Sequence, residues 1–229
     1  ESTLTTNEYT GYTANIKLAE FYSAVKDDYS EAYAILGGIN SKHYTNTAKI
    51  NADYTAGENP VSDSDVIETL GIAVFSGDKL VGELTGLDSI CHLIINNDLD
   101  QCTLSVPNPF ENNRYIDLLI TSTKNTKCSV NIINNSPLVN INVHLIGYGL
   151  SLDSKTYYNT EESLNKIQKY AQKYIQRKLE NYLYNTSLKY NSDISGFGRY
   201  AVKNYLTLDE WQNANWLGNY KNCFFNVNV

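Results

Sequence analysis

The sequence predicts an α+β fold, on three observations. From Val139 to Leu150 the side chains alternate, with Val139, Ile141, Val143 and Leu145 set against Asn140, Asn142, His144 and Ile146. A strand with one face on a core and one in water has this period of two. From about residue 160, Leu164, Ile167, Ala171, Tyr174, Ile175, Leu179, Tyr182 and Leu183 recur at three and four, the stripe of a helix lying on a sheet. Between Ile72-Ala73-Val74-Phe75 and the run Lys79 to Leu84, Ser76-Gly77-Asp78 makes a hairpin turn, where Gly tolerates positive φ. The predicted architecture is two consecutive domains, 1–105 and 106–229. Each is a mostly antiparallel or mixed sheet covered by helices, and one long helix spans about 160–190.

The elements follow in order. Residues 1–12 are polar. Residues 14–27 predict an amphipathic helix with Ile16, Phe21, Tyr22 and Val25 on one face, ended by Asp27-Asp28. Residues 31–39 predict a strand. The stretch 40–64, rich in Asn, Thr, Ser, Gly and Asp and carrying Pro60, predicts a long loop or an excursion from the core. The strand at 66–75 leads into the hairpin. Leu87 to Ile95 then predicts a helix started by Thr85 or Asp88. Leu104 to Val106 is a short strand, broken by Pro107-Asn108-Pro109. Tyr115 to Thr121, Cys128 to Ile133 and Val139 to Leu150 predict three further strands. Asn159 is placed to cap the long helix, with Glu162 at the capping-box position. That helix is expected to run roughly 45 Å. Phe224, Val227 and Val229 close the chain in a strand.

At 229 residues with 42% hydrophobic and 19% charged residues, the chain has the composition of a globular protein with a sizeable core. Its formal net charge is −7, from 18 Lys+Arg and 25 Asp+Glu. That balance argues against nucleic acid, which is bound through clustered cations. The charge is uneven: residues 1–159 hold 9 Lys+Arg against 19 Asp+Glu, and residues 160–229 hold 9 against 6. The long helix carries Lys166, Lys169, Lys173 and Arg177 mostly on the face away from its apolar stripe. This is either a solvated lysine face or a surface for an acidic partner or anionic lipid. No apolar run reaches the ~20 residues of a membrane span. The chain opens on polar Glu1-Ser2-Thr3, so the expectation is a soluble fragment.

Each constellation with chemical potential also has a structural reading. Cys91, Cys102, Cys128 and Cys223 form no CxxC pair, so buried free thiols are expected, with a Cys91–Cys102 disulfide open in an oxidising compartment. His43, His92 and His144 stand apart without metal-ligand spacing, and neither metal nor cofactor is expected. Gly77-Asp78-Lys79 lacks the phosphate-loop pattern, and Gly196-Phe197-Gly198 follows a helix rather than a strand. Its glycines are expected to stop that helix. No GxSxG elbow is present. The carboxylate pairs Asp27/Asp28, Glu161/Glu162 and Asp209/Glu210 lie at predicted helix ends, where acids favour the dipole. Trp211, Trp216 and Tyr220 are expected to bury a helix on a sheet, with a carbohydrate-stacking platform as the other reading.

Two stretches carry a resemblance. One is Gly71-Ile72-Ala73-Val74-Phe75-Ser76-Gly77-Asp78-Lys79-Leu80-Val81-Gly82 with the helix after it. The other is the long helix followed by Asp193-Ile194-Ser195-Gly196-Phe197-Gly198, then Trp211, Trp216 and the run Phe224 to Val229. In order and spacing they resemble the C-subunit family of bacterial spore germinant receptors, the GerAC-like spore lipoproteins, across about 15–229. Leu206 stands where the family often has Pro, and 40–64 looks like an insertion. The resemblance implies the second and third domains of a three-domain lipoprotein, without the family's lipid-modified Cys and first domain. It implies a non-enzymatic subunit on the outer face of the spore inner membrane. Its partners would be membrane A and B subunits, and its role to couple nutrients to germination. Asp193, Gly196, Phe197, Gly198, Trp211, Trp216 and the four helix cations are the candidate interaction or motif residues. The rival reading is a secreted cell-wall module that binds or cleaves glycan, with Trp211 and Trp216 exposed beside paired carboxylates.

Overall fold

Two antiparallel ladders organise the chain. The computed structural model describes residues 10–40, 50–58, 66–134, 136–152, 158 and 160–229. The first sheet has the order β1-β2-β3, from Tyr33–Asn40, Val66–Ser76 and Lys79–Leu84. The second has the order β4-β5-β6-β7, from Gln101–Pro107, Tyr115–Ile133, Ser136–Leu152 and Phe224–Asn228, and its last pair is parallel. The predicted α+β class with a mixed sheet and a long helix in the C-terminal half is what the chain forms.

The hairpin forms where expected. Gly77 turns with φ +58, and a register shift at Val74/Phe75 adjusts the pairing. Glu31 closes it from outside: its carboxylate accepts from Gly77 N at 2.7 Å and from Ser76 Oγ at 3.4 Å. Gly71 is required in β2. Its φ is +89, a Cβ would overlap the Leu84 carbonyl oxygen, and its N–H donates to Tyr12 O at 2.8 Å.

Helix α1, Leu18–Ala24, is shorter than the predicted 14–27 and buries no residue fully; Tyr22 stays exposed. The reason is competition. Thr13 forms an isolated bridge to Gly71 of β2, and the chain is still extended at Lys17 (φ −93, ψ 153), so the helix begins only at Leu18. Helix α2, Gly86–Asn96, matches its prediction and is nearly all buried. Thr85 Oγ1 accepts from Asp88 N, and the Asp88 carboxylate accepts from Thr85 N, each at 3.2 Å, a closed capping box. Asn97 ends it in the left-handed conformation (φ 64).

The two strands predicted at 115–121 and 128–133 are one strand, β5. Its polar middle keeps pairing with β6 by shifting register at Ser122/Lys124 and Lys124/Lys127. Polarity does not break a strand that can bulge. The Leu104–Val106 strand extends to Gln101–Pro107 as β4. Helix α3, Glu161–Tyr184, is capped by Thr160, whose Oγ1 accepts from Ser163 N at 3.2 Å. Asn159, the predicted cap, lies outside the described residues. The 24 residues of α3 span about 36 Å. A five-residue π turn at Asn185–Lys189 then prolongs it.

Ala171, Ile175, Leu179, Tyr182 and Leu183 of the predicted stripe are buried, whereas Leu164 is exposed near the helix start. Three short helices follow: α4 Gly198–Ala201, α5 Leu208–Ala214 and α6 Trp216–Asn219. One cluster of buried side chains runs from Ile72 and Val74 through Leu87–Ile95 to Ile141, Leu179 and Val227. The 105/106 division falls inside β4, which pairs with β5 across its whole length. Of the predicted 40–64 excursion only 50–58 is among the described residues beyond Asn40. There Asn51 Nδ2 donates to Ser105 O and Tyr174 Oη, both at 2.9 Å, and its Oδ1 accepts from Ser105 N at 2.7 Å.

Candidate functional site

The site is built around Asp193, on the turn that follows α3. Asn191 takes positive φ (47) after the π turn, and Ser192 Oγ donates to Phe75 O at 2.5 Å, joining the turn to β2. The Asp193 carboxylate is fully buried and accepts three hydrogen bonds. Phe197 N reaches Oδ1 at 3.1 Å; Gly198 N at 2.9 Å and Trp216 Nε1 at 2.8 Å reach Oδ2. Its main-chain oxygen accepts from Glu31 N at 2.9 Å and Gly196 N at 3.3 Å. One residue thus ties the entry of β1, the start of α4 and the first residue of α6. Burial pushes the carboxyl up to about 6, against the lowering pull of the Trp216, Phe197 and Gly198 donors.

The glycines serve this geometry. Gly196 turns with φ +70, and at Gly198 a Cβ would overlap Tyr29 O and sit 2.8 Å from Trp216 Cδ1. Trp211 and Trp216 are 3% and 4% exposed and stack at 6.2 Å, with Tyr29 stacked on Trp211 at 5.4 Å. Tyr220 is fully buried beside them. Neither tryptophan offers a face to a sugar: the expected burial is what forms, and the alternative stacking platform does not. Trp216 goes inside with its one N–H satisfied by Asp193, and Trp211 packs between it and Tyr29.

A second polar link was not anticipated. Asn96 Nδ2 meets His92 Nε2 at 3.0 Å, His92 Nδ1 meets Tyr182 Oη at 2.8 Å, and Tyr182 Oη meets Ser195 Oγ at 2.9 Å. With the Asn96 amide donating to Nε2, Nδ1 carries the proton and donates to Tyr182 Oη. Burial lowers His92 to about 3, so the ring is neutral at physiological pH. The Ser195 hydroxyl meets a phenol and not the imidazole, so this is a structural chain joining α2, α3 and the Asp193 turn. Its sequence signals were a histidine inside an apolar helix and a tyrosine inside an apolar stripe.

Ser195, Gly196 and Arg199 line a polar cleft of about 510 Å³ together with Glu20, Tyr33 and Asp98. Arg199 is already paired with Asp27 at 3.1 Å. A larger groove of about 780 Å³ runs between α3 and the β5–β6 face, walled by Ile120, Val143, Ile167 and Ala171.

Lys166, Lys169, Lys173 and Arg177 lie on the exposed face of α3, separate from the Asp193 turn, and Lys166 Nζ sits 4.4 Å from the Phe110 ring centroid. The carboxylate pairs are at helix ends: Glu161/Glu162 and Asp209/Glu210 in the first turns of α3 and α5, and Asp27 after α1. All four cysteines are free; burial pushes Cys102 to about 12 and Cys128 to about 11, so both remain thiols at neutral pH. Among the described residues no three His, Cys, Asp or Glu come together as a metal site.

Fold and site together define an α+β scaffold. A long helix covers its second sheet, and a buried carboxylate locks the turn after that helix. A family model described as spore germination B3/GerAC like, C-terminal, matches residues 70–229, more than half of the chain and the span holding both signature stretches. The chain belongs to this spore germination family. A solved structure described as the crystal structure of the GerBC protein shares the fold, with TM-score 0.55 and 14% identity over 72% of this chain. The match takes in 51% of that protein, so this chain corresponds to about half its length. No curated protein matches the sequence.

Proposed function

We propose that this chain is a part of the C subunit of a spore nutrient germinant receptor, its second and third domains. It acts without catalysis, by assembling with membrane A and B subunits and coupling nutrient sensing to germination. In this reading the full-length protein is a lipoprotein on the outer face of the spore inner membrane. The division into a middle unit, 1–105, and a C-terminal unit, 106–229, belongs to the same proposal.

The observation that carries it is the family match over 70–229, which contains the hairpin, α3 and the Asp193 turn in one continuous span. The geometry is compatible: the candidate motif residues Asp193, Gly196, Phe197, Gly198, Trp211 and Trp216 hold the scaffold, while the α3 cations stay in water. The test is a pull-down from detergent-solubilised spore membranes with tagged full-length protein. Recovery of two membrane subunits is the expected result. Their absence, with retention on purified cortex peptidoglycan, would overturn the receptor reading in favour of a glycan-binding module.

A further inference from the structure

The cationic face of α3 has a composition that a merely solvated face does not require. Lys166, Lys169, Lys173 and Arg177 are exposed and recur at three and four, opposite the buried Ala171, Ile175 and Leu179. Lys169, Lys173 and Arg177 have no ion pair among the described residues. Tyr170, 50% exposed, lies in the same row, whereas Tyr184 packs edge-on against Phe225 at 5.4 Å. The row from Lys166 to Arg177 is straight and about 17 Å long. The helix's acids sit outside its middle: Glu161 and Glu162 in the first turn, and Glu180 accepting the Gln176 amide at 2.9 Å.

From this we infer that α3 is a lipid-docking face, which lays its row of cations, with Tyr170 among them, side-on against an anionic membrane surface. Lysine and arginine are drawn to anionic headgroups within a Debye length. Tyrosine suits the same depth, with an apolar ring and a polar hydroxyl. The four cations lie along one straight line of the helix, which a flat anionic surface meets side-on along its whole length. The charge distribution sets the orientation. Residues 1–159 hold 9 Lys+Arg against 19 Asp+Glu, so an anionic surface repels that part and attracts α3. The attraction is therefore local and oriented, and it needs neither a lipid tether nor the receptor assignment.

The experiment is co-sedimentation of the 229-residue chain with vesicles, at low salt and millimolar lipid. One set is phosphatidylcholine mixed with an equal part of phosphatidylglycerol; the other is phosphatidylcholine alone. Binding is expected to the mixed vesicles only and to fade as salt rises. Each Lys→Gln or Arg→Gln in the row should lower partitioning about fivefold. The combination K166Q/K169Q/K173Q/R177Q should abolish it, while K79Q/K124Q/K127Q/K221Q, placed on other exposed lysines, should leave it. Circular dichroism melting checks that both variants are folded. No binding to anionic vesicles, equal binding to neutral ones, or equal loss in both variants would overturn the proposal. None of these outcomes bears on the pull-down above, so the two readings fail separately.

Discussion

The turn after α3 and the outer face of α3 lie side by side in the chain and handle polarity in opposite ways. At the turn, a single carboxylate is taken wholly out of water and given three donors from Phe197, Gly198 and Trp216. On the helix, four cations are left in water with no acid between them. A buried polar group that is fully satisfied fixes one geometry, because any other arrangement leaves it unpaired. An exposed row of charge fixes no geometry and stays available for a surface of opposite sign. The comparison separates what holds this scaffold from what it presents.

Breaking the buried side should have the largest effect. Asp193→Ala strands the Trp216 indole N–H and two backbone N–H groups in the interior, and urea unfolding should report a loss of roughly 3–5 kcal/mol. Gly198→Ala comes next. The added Cβ overlaps Tyr29 O, so the β1 entry or α4 must move, at about 2–3 kcal/mol by thermal melting.

Acid separates the two buried links. Asp193 titrates at about 6 in the fold, above the carboxylate's ordinary 3.8. The folded state therefore holds a proton that the unfolded chain releases, and this contribution to stability grows as pH falls from 6 toward 4. His92 runs the other way. Its value of about 3 lies below the ordinary 6.5, so the unfolded chain takes up the proton first, and stability is lost as pH falls below 6.5. Each slope is at most about 1.4 kcal/mol per pH unit, and they oppose one another between pH 6 and 4. Asp193→Asn removes one of them. Relative to wild type, its stability should fall by up to that slope through the window, as read from denaturation midpoints at each pH. A parallel pH dependence would show that the three donors offset the burial of Asp193.

The smallest effect belongs to the exposed side: Lys169→Gln or Lys173→Gln should change folding stability by no more than about 0.5 kcal/mol. A larger loss would mean that the row is part of the scaffold after all.

Much of the fold was legible locally. The β2–β3 hairpin, α2 with its Thr85 cap, and the buried half of the α3 stripe all follow from spacing and turn chemistry within a few residues. The errors came where a distant segment intervened. Thr13 pairs with Gly71 and shortens α1, and β6 carries β5 through its polar middle. Of the candidate site, the Asp193 to Gly198 turn and both tryptophans were singled out, but their joint role was not. The His92–Tyr182–Ser195 chain was missed because its members look like ordinary core and loop residues in their own segments.

By itself, then, the sequence determined the periodicities: which faces are apolar, where chain reversals fall, and which cations share one side of α3. These depend on repeats of two and of three to four residues, which the backbone imposes on any segment. The tertiary structure alone decided which polar groups go inside and with whom. Asp193 is joined to Glu31 and Trp216, and Asn51 to Ser105 and Tyr174. A buried hydrogen bond depends on where two distant segments meet in space, and no local pattern records that meeting.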